Sequence, residues 1–124
     1  MKIKLLAAAL LAALPVGAAH AMDVATFLAK ADALQKKGMM ALMSSDYKLL
    51  KKEIVPHSQT LRNERLAAER AGRKGAYCPP PKQSGLNSDE ILRAFRSIPA
   101  AQRPRTDVKD ALRALLVRKY PCRS

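Results

Sequence analysis

Apolar residues recur every three or four positions along most of this chain, which is the spacing of one face of an α-helix. A first helix is predicted from Asp23 to Lys37, because Asp23 is a suitable N-cap and Gly38 a suitable stop. No stretch alternates apolar and polar residues as a half-buried strand would. The pattern therefore predicts an all-α fold of about four to five helices. The residues expected to face the core from the first helix are Val24, Phe27, Leu28, Ala31 and Leu34.

Two more helices are predicted in the C-terminal half of the chain. Asn87 or Ser88 caps the first of them, acidic residues follow in its first turn, and Pro99 stops it. A basic loop over residues 100–105 leads to the second, which Thr106 or Asp107 caps. The apolar positions expected to be buried are Ile91, Leu92, Phe95 and Ile98 in the first helix and Val108, Ala111, Leu112 and Leu115 in the second.

The central segment keeps one helical register across a proline. Ser44 or Ser45 can cap it, and the stripe continues on both sides of Pro56. Because proline has no amide hydrogen and crowds the preceding turn, two geometries are open: one long helix kinked at Pro56, or a break with a new helix starting there. Gly72 and Gly75 end the segment. The stripe consists of Tyr47, Leu50, Ile54, His57, Leu61, Glu64 and Ala68.

A short methionine-rich run, Met39 to Met43, separates the first two helical patterns. Methionine packs well into irregular gaps, so the run is predicted to be a turn or helical piece that fills part of the core. The alternative is an adaptable binding surface, the other common use of methionine clusters.

The N-terminus has the three parts of an export signal. Lys2 and Lys4 provide a positive start, an unbroken Leu/Ala run extends from Leu5 to Leu14, and small residues precede a cleavage site after Ala21. The apolar run is roughly half of the ~20 residues that a spanning helix needs, which argues against an uncleaved anchor. We therefore predict a signal peptide over residues 1–21, a single helical domain over residues 22–124, and a periplasmic or secreted protein.

The chain has two cysteines, Cys78 and Cys122, and each lies beside a proline at the boundary of a predicted helix. An exported chain with one even pair of cysteines is expected to join them, because its compartment is oxidising. The predicted disulfide would tie the end of the last helix to the segment that enters the helix before it.

The residue types present argue against catalysis. Only His57 remains after removal of the signal peptide, both cysteines are expected to be bonded to each other, and no glycine-rich phosphate loop occurs. We predict no catalytic, cofactor-binding or metal-binding residues. His57 is interpreted as a half-buried packing residue beside Pro56, with a pH-sensitive contact as the alternative.

The strongest remaining signal is positive charge. The chain carries 23 Lys and Arg against 10 Asp and Glu, a net charge of +13. Export and the lack of an aromatic stacking platform argue against nucleic acid as a partner. The anionic partners left in the envelope are membrane surfaces, lipopolysaccharide and acidic proteins. The alternative is that the charge only keeps a small exported domain soluble.

The C-terminal half begins with Tyr77-Cys78-Pro79 and ends with Tyr120-Pro121-Cys122, with the two apolar helical stripes between them. In this arrangement it resembles the Rap/Tai family of type VI secretion immunity proteins. The N-terminal Ala25-Thr26-Phe27-Leu28 is similar to that family's first helix. The resemblance implies a small helical periplasmic protein with a disulfide, often a homodimer, that binds a cell-wall amidase toxin and blocks its active site.

Two functions are therefore expected to compete. The first is a non-catalytic protein that binds and inhibits a cell-wall hydrolase toxin, with no cofactor. The second is a basic envelope-stabilising or chaperone-like protein that binds anionic surfaces or unfolded clients through its charge and methionines.

Overall fold

The computed structural model describes residues 21–82 and 85–123. These residues form four α-helices: α1 (Val24–Lys37), α2 (Ser45–Arg70), α3 (Ser88–Ser97) and α4 (Val108–Lys119). Two short 3-10 helices, Gly38–Met43 and Arg103–Arg105, lie in the connections α1–α2 and α3–α4. The predicted all-α fold is confirmed. The predicted signal peptide lies outside the described residues except for Ala21, and no helix among the described residues is long and apolar enough to cross a membrane.

Local capping explains where the helices begin. The side chain of Asp23 accepts a hydrogen bond from the backbone N–H of Thr26 at 2.8 Å and caps α1. Ser44 caps α2 in the same way. Asn87 rather than Ser88 caps α3, where it forms a reciprocal capping box with Glu90. Asp107 occupies the N-cap position of α4, without a side-chain hydrogen bond to the helix.

The core is formed where α1, α3 and α4 meet. Phe95, Leu112, Val24 and Val108 are its largest fully buried side chains. The Phe27 and Phe95 rings meet edge to face with centroids 5.2 Å apart. An isolated antiparallel bridge joins the starts of α1 and α4: the Val24 N–H donates to the carbonyl of Thr106 and the Val108 N–H to that of Met22, both at 2.9 Å.

The burial of three predicted core residues differs from expectation. Leu92 and Ile98 are half-buried, and Ile98 follows the end of α3, which ends at Ser97. Leu115 is also half-buried, and its neighbour Leu116 is buried instead. Leu116 is buried because α4 packs against both α2 and α3, so the face of α4 that is turned to the core is wider than one stripe of residues.

The α2 helix runs without a break through Pro56, which decides between the two geometries left open by the sequence. Of its predicted stripe only Leu50 and Leu61 are buried. Tyr47 is 38 % exposed and Ile54 is half-buried. The helix therefore uses part of its apolar face for the core and leaves part at the surface.

Replacing Pro56 by alanine should stabilise the protein. Proline in a helix interior costs about 3 kcal/mol relative to alanine. Alanine regains less than that, because proline also restricts the unfolded chain. The expected gain is about 2 kcal/mol in the free energy of unfolding, measured by urea denaturation followed by circular dichroism. A loss of stability would show that α2 depends on the geometry that Pro56 imposes.

The predicted disulfide is present between Cys78 and Cys122, whose Cα atoms are 4.9 Å apart. The backbone N–H of Cys78 also donates to the carbonyl of Tyr120 at 2.8 Å. The two contacts fasten the segment after α2 to the end of α4. Tyr77 directly precedes Cys78, and Tyr120 precedes Pro121 and Cys122. Both tyrosines are buried.

Candidate functional site

The four most exposed large apolar side chains among the described residues all lie in the 3-10 helix Gly38–Met43, called the methionine turn below. Met39, Met40 and Met43 are 86 %, 67 % and 80 % exposed. The prediction that this run fills the core is therefore wrong. Only the small Ala41 packs against the core from this turn, because α1 and α2 already pack against each other and the larger side chains of the connection lie on its exposed side.

Three lysines flank the methionine turn, and the carboxylate nearest to it in the first turn of α2, Asp46, is paired with Lys30 at 3.4 Å. Lys36 and Lys37 form the last turn of α1, and Lys48 lies in the first turn of α2. All three are exposed, and none of them forms an ion pair with a described residue. The methionine turn thus combines flexible apolar side chains with neighbouring lysines that form no ion pair with a described residue.

A groove begins next to the methionine turn and follows α2. Its near part is a cavity of about 350 Å³ between α2 and α3, and its far part is a cavity of about 310 Å³ that reaches Tyr77 and Tyr120. Both parts are lined by Ile54, Val55, Leu86 and Ile91, so they form one continuous groove.

The groove exists because α2 and α3 both pack on α1 and α4 and make little contact with each other. One wall is a stripe of α2 and the other is α3 together with the segment that precedes it. The stripe has helical spacing throughout, and its members are Tyr47, Leu50, Lys51, Ile54, Val55, Ser58, Gln59, Arg62 and Arg65.

The charges along the groove are all positive. Lys51, Arg62 and Arg65 line it, and no carboxylate is among the described residues that do so. Arg65 is the most constrained: its guanidinium carbon lies 5.4 Å from the centre of the Tyr77 ring, and its Nη1 donates to Glu69 Oε1 at 3.0 Å. Its Nε is buried and makes no hydrogen bond to a described residue.

Ion pairs hold the walls of the groove in place. Lys119 Nζ donates to Glu90 Oε1 at 2.7 Å and to the carbonyl of Gly85 at 2.9 Å, which fixes the segment before α3 against α4. On the other side, Glu64 accepts from Lys109 Nζ at 2.9 Å and lies 3.5 Å from Arg113, so α2 is joined to α4. The hydrogen bond from Lys119 lowers the pKa of Glu90, and that from Lys109 lowers the pKa of Glu64.

These shifts predict a loss of stability in acid. A carboxyl group whose pKa is lowered by folding stabilises the folded state above its unfolded pKa, and that contribution is lost as the pH falls through the folded pKa. The free energy of unfolding should therefore decrease below about pH 5. Glu64→Gln should remove part of this decrease and cost about 0.5 kcal/mol at neutral pH. Asp89→Asn is the control, because Asp89 forms no ion pair with a described residue and should lose only the small contribution of a carboxylate in the first turn of α3. An acid profile unchanged in Glu64→Gln would contradict the assignment.

The residues considered for chemistry do not come together. His57 is half-buried on α2, where its Nε2 lies 3.1 Å from Glu53 Oε2, and it does not line the groove. This fits the interpretation as a packing residue with a local polar partner. Among residues 21–82 and 85–123 no group of three His, Cys, Asp or Glu side chains is placed to hold a metal ion.

No protein-family model, curated protein or solved structure matches this chain. The resemblance to the Rap/Tai immunity proteins therefore stays a hypothesis, and the functional argument depends on the surface itself.

Sequence reasoning found some members of this surface but not their arrangement. Tyr47, Leu50 and Ile54 are in the predicted stripe of α2, but the stripe gave no indication that they line a groove. Val55 and Leu86 were missed. The signal was the width of the stripe: three pairs of adjacent positions, Leu50/Lys51, Ile54/Val55 and Ser58/Gln59, all belong to it, which is wider than one packing contact requires.

Proposed function

We propose that this protein is an exported, non-catalytic binding protein whose partner is another protein, and that it acts as an inhibitor of a cell-wall amidase toxin. The observation that supports binding is the methionine turn, which exposes Met39, Met40, Leu42 and Met43 side by side. Clustered apolar residues of this kind are costly on the surface of a monomer and mark interaction sites. Methionine adapts to the shape of a partner better than branched side chains do.

The flanking lysines restrict the partner. Lys36, Lys37 and Lys48 would favour an acidic surface around an apolar pocket, which is the arrangement of an apolar interface centre with a polar rim. The choice of an amidase toxin as the partner rests on the resemblance to the immunity proteins, which is carried by the motifs around Cys78 and Cys122. A homodimer is compatible with that role.

Co-expression with a secreted cell-wall amidase encoded beside this gene tests the proposal. The full chain, expressed with its own N-terminus, should prevent lysis and form a stoichiometric complex with the enzyme in size-exclusion chromatography. A variant with Met39, Met40 and Met43 all replaced by glutamine should weaken the complex by about tenfold or more, since each residue at the centre of an interface contributes strongly.

Matched variants separate binding from folding. The corresponding triple leucine variant keeps the apolar surface and should retain the complex. Val117→Gln, at a valine of α4 that is 39 % exposed, should have no effect. Mass spectrometry of the same preparation checks export: the mature mass should lack residues 1–21 and two hydrogens. Absence of any complex or protection would overturn the proposal.

The chaperone-like alternative has a different signature. It requires the same methionines, but its binding to anionic vesicles or unfolded clients should weaken steeply with added salt. Saturable binding to one folded enzyme at physiological ionic strength favours the inhibitor.

A further inference from the structure

We propose that the groove between α2 and α3 is the docking site for an acidic amphipathic helix of the partner protein. This inference rests on the proposed function and assigns the groove a task separate from that of the methionine turn. The groove is lined by apolar side chains over most of its length, yet no described part of the chain fills it.

The shape of the groove favours a helix. One wall is the helix α2 along the whole groove, and α3 forms part of the opposite wall; the lining residues of α2 repeat at the spacing with which one helix contacts another. From Tyr47 to Arg62 this wall is about 22 Å long, which matches roughly four turns of a partner helix. Binding of an amphipathic helix in a groove between helices is a common mode of peptide recognition.

The open shape of the groove and its positive charge favour an acidic helix over an acyl chain or a second copy of this protein. The groove is an open trough that adjoins exposed apolar residues, Val55 at 42 % and Tyr47 at 38 % exposure. A single acyl chain in it would remain half in water, whereas a helix would cover those residues too. A second copy of this chain would bring the same net charge of +13 against Lys51 and Arg62, so an acidic partner is favoured.

The tyrosines supply a direct readout of occupancy. The chain has three tyrosines and no tryptophan. Tyr47 lines the near part of the groove, and Tyr77 and Tyr120 line the far part. A ligand without tyrosine or tryptophan that enters the groove therefore changes the ultraviolet emission of the protein through residues that are all at the site.

The probe is a synthetic amphipathic peptide of about sixteen residues, with leucine on one helical face and glutamate elsewhere. Its controls are a scrambled peptide of the same composition and a peptide with lysine for glutamate. The full chain, expressed with its own N-terminus, should bind the acidic amphipathic peptide at least about tenfold more tightly than either control, with a change in tyrosine emission. Equal binding of the scrambled peptide would overturn the proposal.

Two pairs of variants locate the site. Val55→Glu places a carboxylate in the groove and should weaken binding at least about tenfold, whereas Val117→Glu, at the similarly exposed valine of α4, should not. Arg62→Glu should shift the preference toward the lysine peptide, and Arg118→Glu, away from the groove, should leave it unchanged. Melting curves confirm that all four variants fold. Unchanged binding in Val55→Glu overturns the inference.

Other outcomes identify other occupants. Concentration-dependent dimerisation abolished by Val55→Glu would show that a second copy fills the groove, and binding of laurate without the peptide would show a lipid-like ligand; both overturn the inference. With the amidase as partner, loss of the complex in the triple glutamine variant but not in Val55→Glu would uphold the proposed function and reject the helix. Loss in both variants supports both.

Discussion

Replacing Cys78 or Cys122 by serine should lower the free energy of unfolding by about 4 kcal/mol. The bond joins residues separated by 44 positions, and a cross-link across a loop of that length removes a large part of the entropy of the unfolded chain. Small helical domains have only about 5–15 kcal/mol in total. The melting temperature should therefore fall by roughly 20 °C, measured by circular dichroism at neutral pH.

The two cysteines should behave as one unit. Each single serine variant should lose about as much stability as the double variant, because either substitution removes the whole bond. Reduction of the wild-type protein should give the same melting temperature as the double variant. If reductant leaves the melting temperature of the wild-type protein unchanged, the disulfide does not stabilise the fold, and non-covalent contacts are sufficient to hold the segment after α2 against the end of α4.

Helix boundaries were predictable because they depend on local chemistry. Asp23, Ser44 and Asn87 cap their helices through hydrogen bonds to backbone groups three residues away, so the sequence around each is sufficient. Gly38 ends α1 with a φ of 57°, a backbone conformation that residues other than glycine rarely adopt. The disulfide was predictable for another reason: a chain with two cysteines has one possible intramolecular pairing.

The methionine turn and the groove were not predictable because they depend on distant contacts. An apolar run of five or six residues has no periodicity that distinguishes a buried turn from an exposed one. The groove depends on α3 packing on α1 and α4 and leaving α2 apart, which no local pattern of α2 encodes. The sequence of α2 shows which of its residues are apolar, but it does not show that α3 leaves part of that apolar face uncovered.

This division is clearest along α2. Leu61 is buried in the core, Leu50 is buried and also lines the groove, and Tyr47 and Ile54 of the same stripe line the groove while partly exposed. A stripe that serves the core at two positions and an open groove at others has the same periodicity as one that is buried throughout. Burial of each residue can therefore be assigned only once the neighbouring helices are placed, and the surface left over is where binding is proposed.

Replacing Phe95 by alanine should cost about 3–5 kcal/mol in the free energy of unfolding. Phe95 is fully buried, and its ring meets that of Phe27 edge to face, so truncation removes both buried apolar area and the aromatic contact. Phe95→Leu should cost less, because it fills most of the cavity. Urea denaturation measures both.

The matched control lies in the methionine turn. Leu42→Ala removes a comparable apolar side chain, but Leu42 is 59 % exposed, so its cost should stay within about 0.5 kcal/mol. The contrast measures directly whether the turn belongs to the core. If Leu42→Ala destabilised the protein as much as Phe95→Ala, the turn would be packed in solution, and its residues would be needed for folding rather than left available for a partner.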